Sequence, residues 1–157
     1  MNRYITGTDK AILDKIKQLR YGNVKKTFKV PEVVTIGWDN VLADPPFNDS
    51  DTTKKELIYL SELTKNLGSS EIDLVKMVDK DPNLLYQKIL NKHGLEFPDE
   101  IFKKSWKIMS PVIKNLKYKF NRARPYQLAP LYNIEIKVIE TKSHKTPAYP
   151  SGHTAYA

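Results

Sequence analysis

Apolar residues recur along this chain at helical spacing, and glycine and proline divide them into segments. Ile12, Leu13, Ile16 and Leu19 form a first stripe, with Thr8 or Asp9 placed to cap it and Gly22 to close it. Residues 29–49 contain Pro31, Pro45 and Pro46 and read as extended and irregular, with Trp38 and Phe47 as packing anchors. Ser50 or Asp51 caps a second helix with Leu57, Leu60, Leu63 and Leu67 inward and Gly68 past its end. A short third follows Ser70, with Ile72, Leu74, Val75 and Val78. Asp81-Pro82 suits the start of a fourth, NLLYQKILNK, which Gly94 ends. Pro98-Asp99 opens the longest. Its Phe102, Trp106, Met109, Ile113 and Leu116 step by four, three, four and three, a core-facing stripe. Pro111 lies inside that stripe and predicts a kink or a split into two helices.

After Asn121 the pattern changes. Residues 121–149 hold Pro125, Pro130 and Pro147, and one alternating patch, Ile134, Ile136 and Val138, has the period of a short strand. A connection of this length in a helical domain is uncommon unless it is functional or disordered. There is no internal repeat and no low-complexity tract. The expected architecture is a single all-α bundle over residues 1–157. It comprises an N-terminal helix with an extended lead-in (1–50), bundle helices (51–121), a long loop (122–149) and the start of a further helix (150–157).

Composition narrows the function classes. With 28% charged and 40% hydrophobic residues, the chain has the make-up of a globular domain. The absence of cysteine excludes a disulfide scaffold, thiolate zinc sites and cysteine nucleophilic catalysis. The start, MNRYITGTDK, lacks an apolar signal region, and no apolar run approaches the ~18 residues of a membrane span. Cytoplasmic placement is the default expectation, with a periplasmic one left open should the N-terminus be set differently. The formal net charge of +8 equals the charge of residues 101–124 alone, which hold eight Lys or Arg and no acid. So concentrated a field favours polyanions or phosphorylated ligands, and Lys103, Lys104 and Lys107 read equally as a solvated helix face.

Two short segments flank the long loop. In KYKFNRARP, Lys117 and Arg124 stand seven apart, two helical turns, which places both on one face. In PSGH, Pro150 to His153, small residues lead to a histidine. Together they suit a phosphoryl group. Arg124 offers a planar fork for two oxygens and Lys117 a point charge. Ser151 adds a hydroxyl, and Gly152 lets the backbone approach an oxygen closely. A helix beginning at HTAYA would aim free amides at the anion, with His153 beside it to protonate a leaving oxygen. No metal is needed.

Lys-x6-Arg-Pro followed by Pro-Ser-Gly-His resembles the first two of three signature motifs of the phosphatidic acid phosphatase type 2 and vanadium haloperoxidase superfamily, which includes soluble class A bacterial acid phosphatases. The resemblance covers roughly residues 99 to 157. It implies a helical bundle of that type and hydrolysis of phosphate monoesters through a phosphohistidine. Lys117, Arg124, Ser151 and Gly152 would bind phosphate and His153 would be the general acid. The third motif, Ser-Arg-x5-His-x3-Asp, supplies the nucleophile in that family and does not occur here. The chain is therefore expected to be truncated at its C-terminus and inactive or nearly so, with exposed apolar surface that favours association into a homo-oligomer. No cofactor is implied for a phosphatase, whereas vanadate would occupy the same cations in a haloperoxidase. Of the remaining histidines, His93 reads as a solvated helix end, and His144 matches no motif position. The expected partner is a small phosphorylated substrate or free phosphate. A non-enzymatic basic module for nucleic acid or another polyanion is the third reading, weakened by sparse aromatic interleaving.

Overall fold

A computed structural model describes residues 10–35, 37–40 and 42–156, the side chains of Asp39 and Tyr156 aside. It is helical: α1 (Lys10–Gln18), α2 (Asp51–Lys65), α3 (Ser69–Lys80), α4 (Asn83–Lys92), α5 (Asp99–Phe120), α6 (Pro125–Leu128) and α7 (Gly152–Tyr156). Three 3-10 turns, Trp38–Asn40, Ala129–Tyr132 and Ser143–Lys145, complete the elements. None of the described helices is long and apolar enough to cross a membrane.

Side-chain chemistry fixes the starts of α2 and α4. Ser50 accepts the Thr53 amide at 3.2 Å and opens α2. Asp81 Oδ1 accepts the Asn83 amide at 3.0 Å, and Gly94 takes a φ of 69° after α4, where a Cβ would be strained. The expected cap of α1 at Thr8 or Asp9 lies outside the described residues.

Leu57 of α2 packs with Ala123, Leu128 and Ala129 in the core, flanked by Leu19, Tyr132, Ile134 and Ile136. Buried Asn48 ties this core to α1, donating to the carbonyls of Ile16 (2.9 Å) and Leu19 (2.8 Å), while Tyr132 Oη donates to the Asn48 carbonyl at 2.7 Å. Asn115, buried on α5, holds Phe28 through two bonds, accepting its amide at 2.7 Å and donating to its carbonyl at 2.8 Å. Both asparagines satisfy backbone groups that no helix or sheet serves.

Several expectations are corrected. Of the two outcomes expected at Pro111, the split does not occur: α5 runs unbroken from Asp99 to Phe120. Its apolar stripe is core-facing in one half only. Val112, Ile113 and Leu116 are buried and Phe102 is half-buried against Phe97 and Tyr86, but Trp106 and Met109 stay 37% and 41% exposed. On α2, Leu63 also faces out, at 49% exposed. Phe47 is no anchor, being 82% exposed. Its backbone is the fixed part: the Phe47 carbonyl accepts from the hydroxyls of Ser50 and Thr53 at 2.7 and 2.8 Å. The patch Ile134, Ile136, Val138 forms no strand, since it finds no ladder partner. Ile134 and Ile136 instead rest on the core, and the Lys137 amide donates to Thr64 Oγ1 at 3.2 Å. Nor is the 122–149 segment a plain loop, for it carries α6 and two of the 3-10 turns.

Candidate anion site

Lys117 and Arg124 do not share a helix face. α5 ends at Phe120, Asn121 adopts a left-handed conformation (φ 47°), and Arg124 sits extended ahead of α6. Asparagine tolerates this conformation better than most residues, and its side chain donates to the Gly22 carbonyl, distant in sequence, at 2.6 Å. The turn reverses the chain and returns Arg124 to the last turns of α5. The two cations are brought together by that reversal, where helical periodicity would have stacked them along one face.

Both then meet the loop that follows. Lys117 is 9% exposed, and its Nζ donates to the Pro147 carbonyl at 2.8 Å. Arg124 Nε donates to the Thr146 carbonyl at 2.7 Å, and Nη2 reaches the Ser143 carbonyl and Thr146 Oγ1. No carboxylate forms an ion pair with either among the described residues. Burial, and then the Arg124 charge, push the Lys117 ammonium down to about 8. Burial also lowers the Arg124 guanidinium, which nevertheless stays charged.

The loop is held from α3. Asp79 Oδ2 accepts the Lys142 amide at 2.8 Å and the Ser143 amide at 3.4 Å. Burial opposes ionisation of Asp79, but hydrogen bonds from the Ser143 hydroxyl and these two amides, with His153 nearby, hold its carboxyl below the usual range. Its Oδ1 is buried without a hydrogen-bond partner. Asp79 carries no sequence signal, lying among half-buried apolar residues of an amphipathic helix, and its role depends wholly on a loop 63 residues away in sequence.

These groups line one cavity of about 520 Å³, together with Ser151, Gly152 and His153. All five residues singled out from the two motifs border it. Ser151 caps α7, accepting the Thr154 amide at 3.2 Å, so its hydroxyl proton remains available to donate. α7 has five residues, too short for its end to serve as an anion site by dipole. At Gly152 a Cβ would lie 3.8 Å from Trp106, an ordinary contact, so the protein's own packing leaves room for a larger residue. His153 is exposed at the cavity wall.

The other two histidines are elsewhere. His93 caps the end of α4, and His144 Nδ1 accepts the Thr141 amide at 2.9 Å while its ring meets Tyr126 edge-on. Neither lines the 520 Å³ cavity. The basic run 101–124 is not one free face either: Lys103 pairs with Asp99 and Glu100, Arg122 with Glu56, and Lys117 is buried. No group of three His, Asp or Glu suited to a metal ion occurs among the described residues. Comparison with protein-family models, curated proteins and solved structures finds no match to this chain.

Proposed function

We propose that this chain carries the phosphate cradle of a metal-independent phosphate monoester hydrolase of the acid phosphatase and vanadium haloperoxidase type. The observation that carries the reading is a pair of cations, buried Lys117 and half-buried Arg124, which border one cavity and form no ion pair among the described residues. Burying charge without a counterion is costly, and a bound oxyanion offsets that cost. Loop carbonyls take one Lys117 donor and two Arg124 contacts, and the Thr146 hydroxyl takes a third from Arg124. The remaining ammonium protons and Arg124 Nη1 are left for phosphate oxygens, with the Ser151 hydroxyl as a neutral donor.

His153 stands at the cavity wall as general acid for the leaving alcohol. The phosphohistidine nucleophile has no candidate in the cavity, because neither His93 nor His144 borders it. In this reading these 157 residues bind phosphate without turning it over. Vanadate, also a tetrahedral oxyanion, suits the same donors and serves as a probe. The commitment of Lys103, Lys117 and Arg122 within the fold favours a compact oxyanion over an extended polyanion.

Isothermal titration with orthophosphate and vanadate tests the proposal. One site is expected, and Arg124→Met should weaken both anions by roughly ten- to a hundredfold, the loss of a charge-assisted contact. Equal binding by wild type and Arg124→Met would overturn it.

A further inference from the structure

A second recess, of about 340 Å³, adjoins the cradle, with Asp79, Lys80 and Lys142 lining both. Lys76 and Lys80 stand four apart on α3 and so share a face, with Asp79 next to Lys80. Lys142 and Lys145 stand three apart around the 3-10 turn, where such side chains eclipse. The two lysine pairs thus border one recess from different elements, and Asp79 joins those elements through the Lys142 and Ser143 amides.

The charge at this recess is unbalanced. None of Lys76, Lys80, Lys142 and Lys145 forms an ion pair among the described residues. Asp79 is committed to loop amides, which leaves Glu140 as the other carboxylate of the lining. His144 lines the recess too. With Nδ1 accepting from Thr141, the neutral ring carries its proton on Nε2 and adds a donor. Ammonium groups so gathered repel one another unless an anion sits among them.

We propose that this recess is a second anion subsite, and that the ligand is a small molecule with two phosphoryl groups, one in each cavity. The proposal rests on the cradle reading and specifies its substrate class. Tethering the second phosphoryl group makes its binding intramolecular, so a ligand of suitable span binds far more tightly than orthophosphate.

The test compares orthophosphate with 2,3-bisphosphoglycerate and fructose 1,6-bisphosphate, two spans of the same chemistry, by calorimetry. Lys76 and Lys145 are exposed and border the second recess but not the cradle, so Lys76→Ala/Lys145→Ala leaves the cradle and the core intact. Lys88→Ala/Lys92→Ala, on α4 away from both linings, controls for net charge. At least one bisphosphate is expected to bind tenfold or more tightly than orthophosphate. The Lys76/Lys145 variant should erase that advantage while orthophosphate affinity holds within about twofold, and the α4 control should retain it. The proposal is overturned if neither bisphosphate exceeds orthophosphate, or if the α4 control loses as much as the recess variant. Absence of orthophosphate binding, with bisphosphate binding that ignores Arg124→Met, would overturn the cradle reading and the two-headed ligand with it.

Discussion

Lys117 shows how much one buried charge can decide. Its ammonium meets a neutral carbonyl and a neighbouring guanidinium, so desolvation and like charge both favour losing the proton, and it titrates near 8. Anion binding that uses this charge weakens as pH rises through about 8. Sulfate, whose own charge is constant there, should show the decline by titration calorimetry, and Lys117→Arg should move it to higher pH. The stability sign follows the same depression. Between about 8 and the ordinary 10.5 the unfolded chain binds more protons than the folded one, so the Lys117 contribution to stability rises with pH across that window. Urea midpoints should therefore shift in favour of wild type over Lys117→Met as pH is raised from 8 to 10. The spacing of Lys117 and Arg124 is visible in the sequence; the depressed titration is not, since it arises from the Pro147 loop closing over the ammonium.

Among the elements, the 141–147 segment has the largest reach. Asp79 holds its amides, and its carbonyls hold Arg124 and Lys117, so α3 positions the cradle cations through the loop. Asp79→Ala should cost about 1.5–3 kcal/mol, the range for hydrogen bonds to a charged group, and its exchange signature would be faster exchange of the Lys142 and Ser143 amides. Unchanged protection there would show that the loop stands without Asp79. A local rule governs the start of α2 instead. Ser50→Ala should lose about 1 kcal/mol in urea unfolding, the usual cost of an N-cap. Ser50 was legible because a cap acts within three residues. Asp79 was not, because its partners are distant in sequence and backbone amides carry no side-chain signature.

Few large apolar residues are fully buried among the described residues. Ile16, Leu57, Val112, Ile113, Leu116 and Leu128 are the large apolar residues of the core among the described residues, whereas Ile101, Trp106 and Met109 of α5 remain exposed. With so few, Leu57→Ala should cost about 2–5 kcal/mol, a large share of the stability of a domain this size, and lower the urea midpoint accordingly. The same scale governs activity. Incubated with p-nitrophenyl phosphate, the 157-residue chain should bind the ester and release no burst of nitrophenol; burst-type turnover would place a nucleophile among residues now assigned other work.

Amino-acid order alone specified the helices from residues 51 to 120, the Ser50 cap and the residue types suited to an oxyanion, because periodicity and capping act over one or two turns. It misjudged Phe47, the Ile134–Val138 patch and the shared helix face of Lys117 and Arg124, each of which turned on contacts far along the chain. Folding added the rest: the left-handed Asn121 turn that returns Arg124 to α5, the Asp79 tether, and the burial that leaves two cations with carbonyls in place of counterions. Those features depend on distant backbone groups meeting in space, and backbone groups are the same at every position of a sequence.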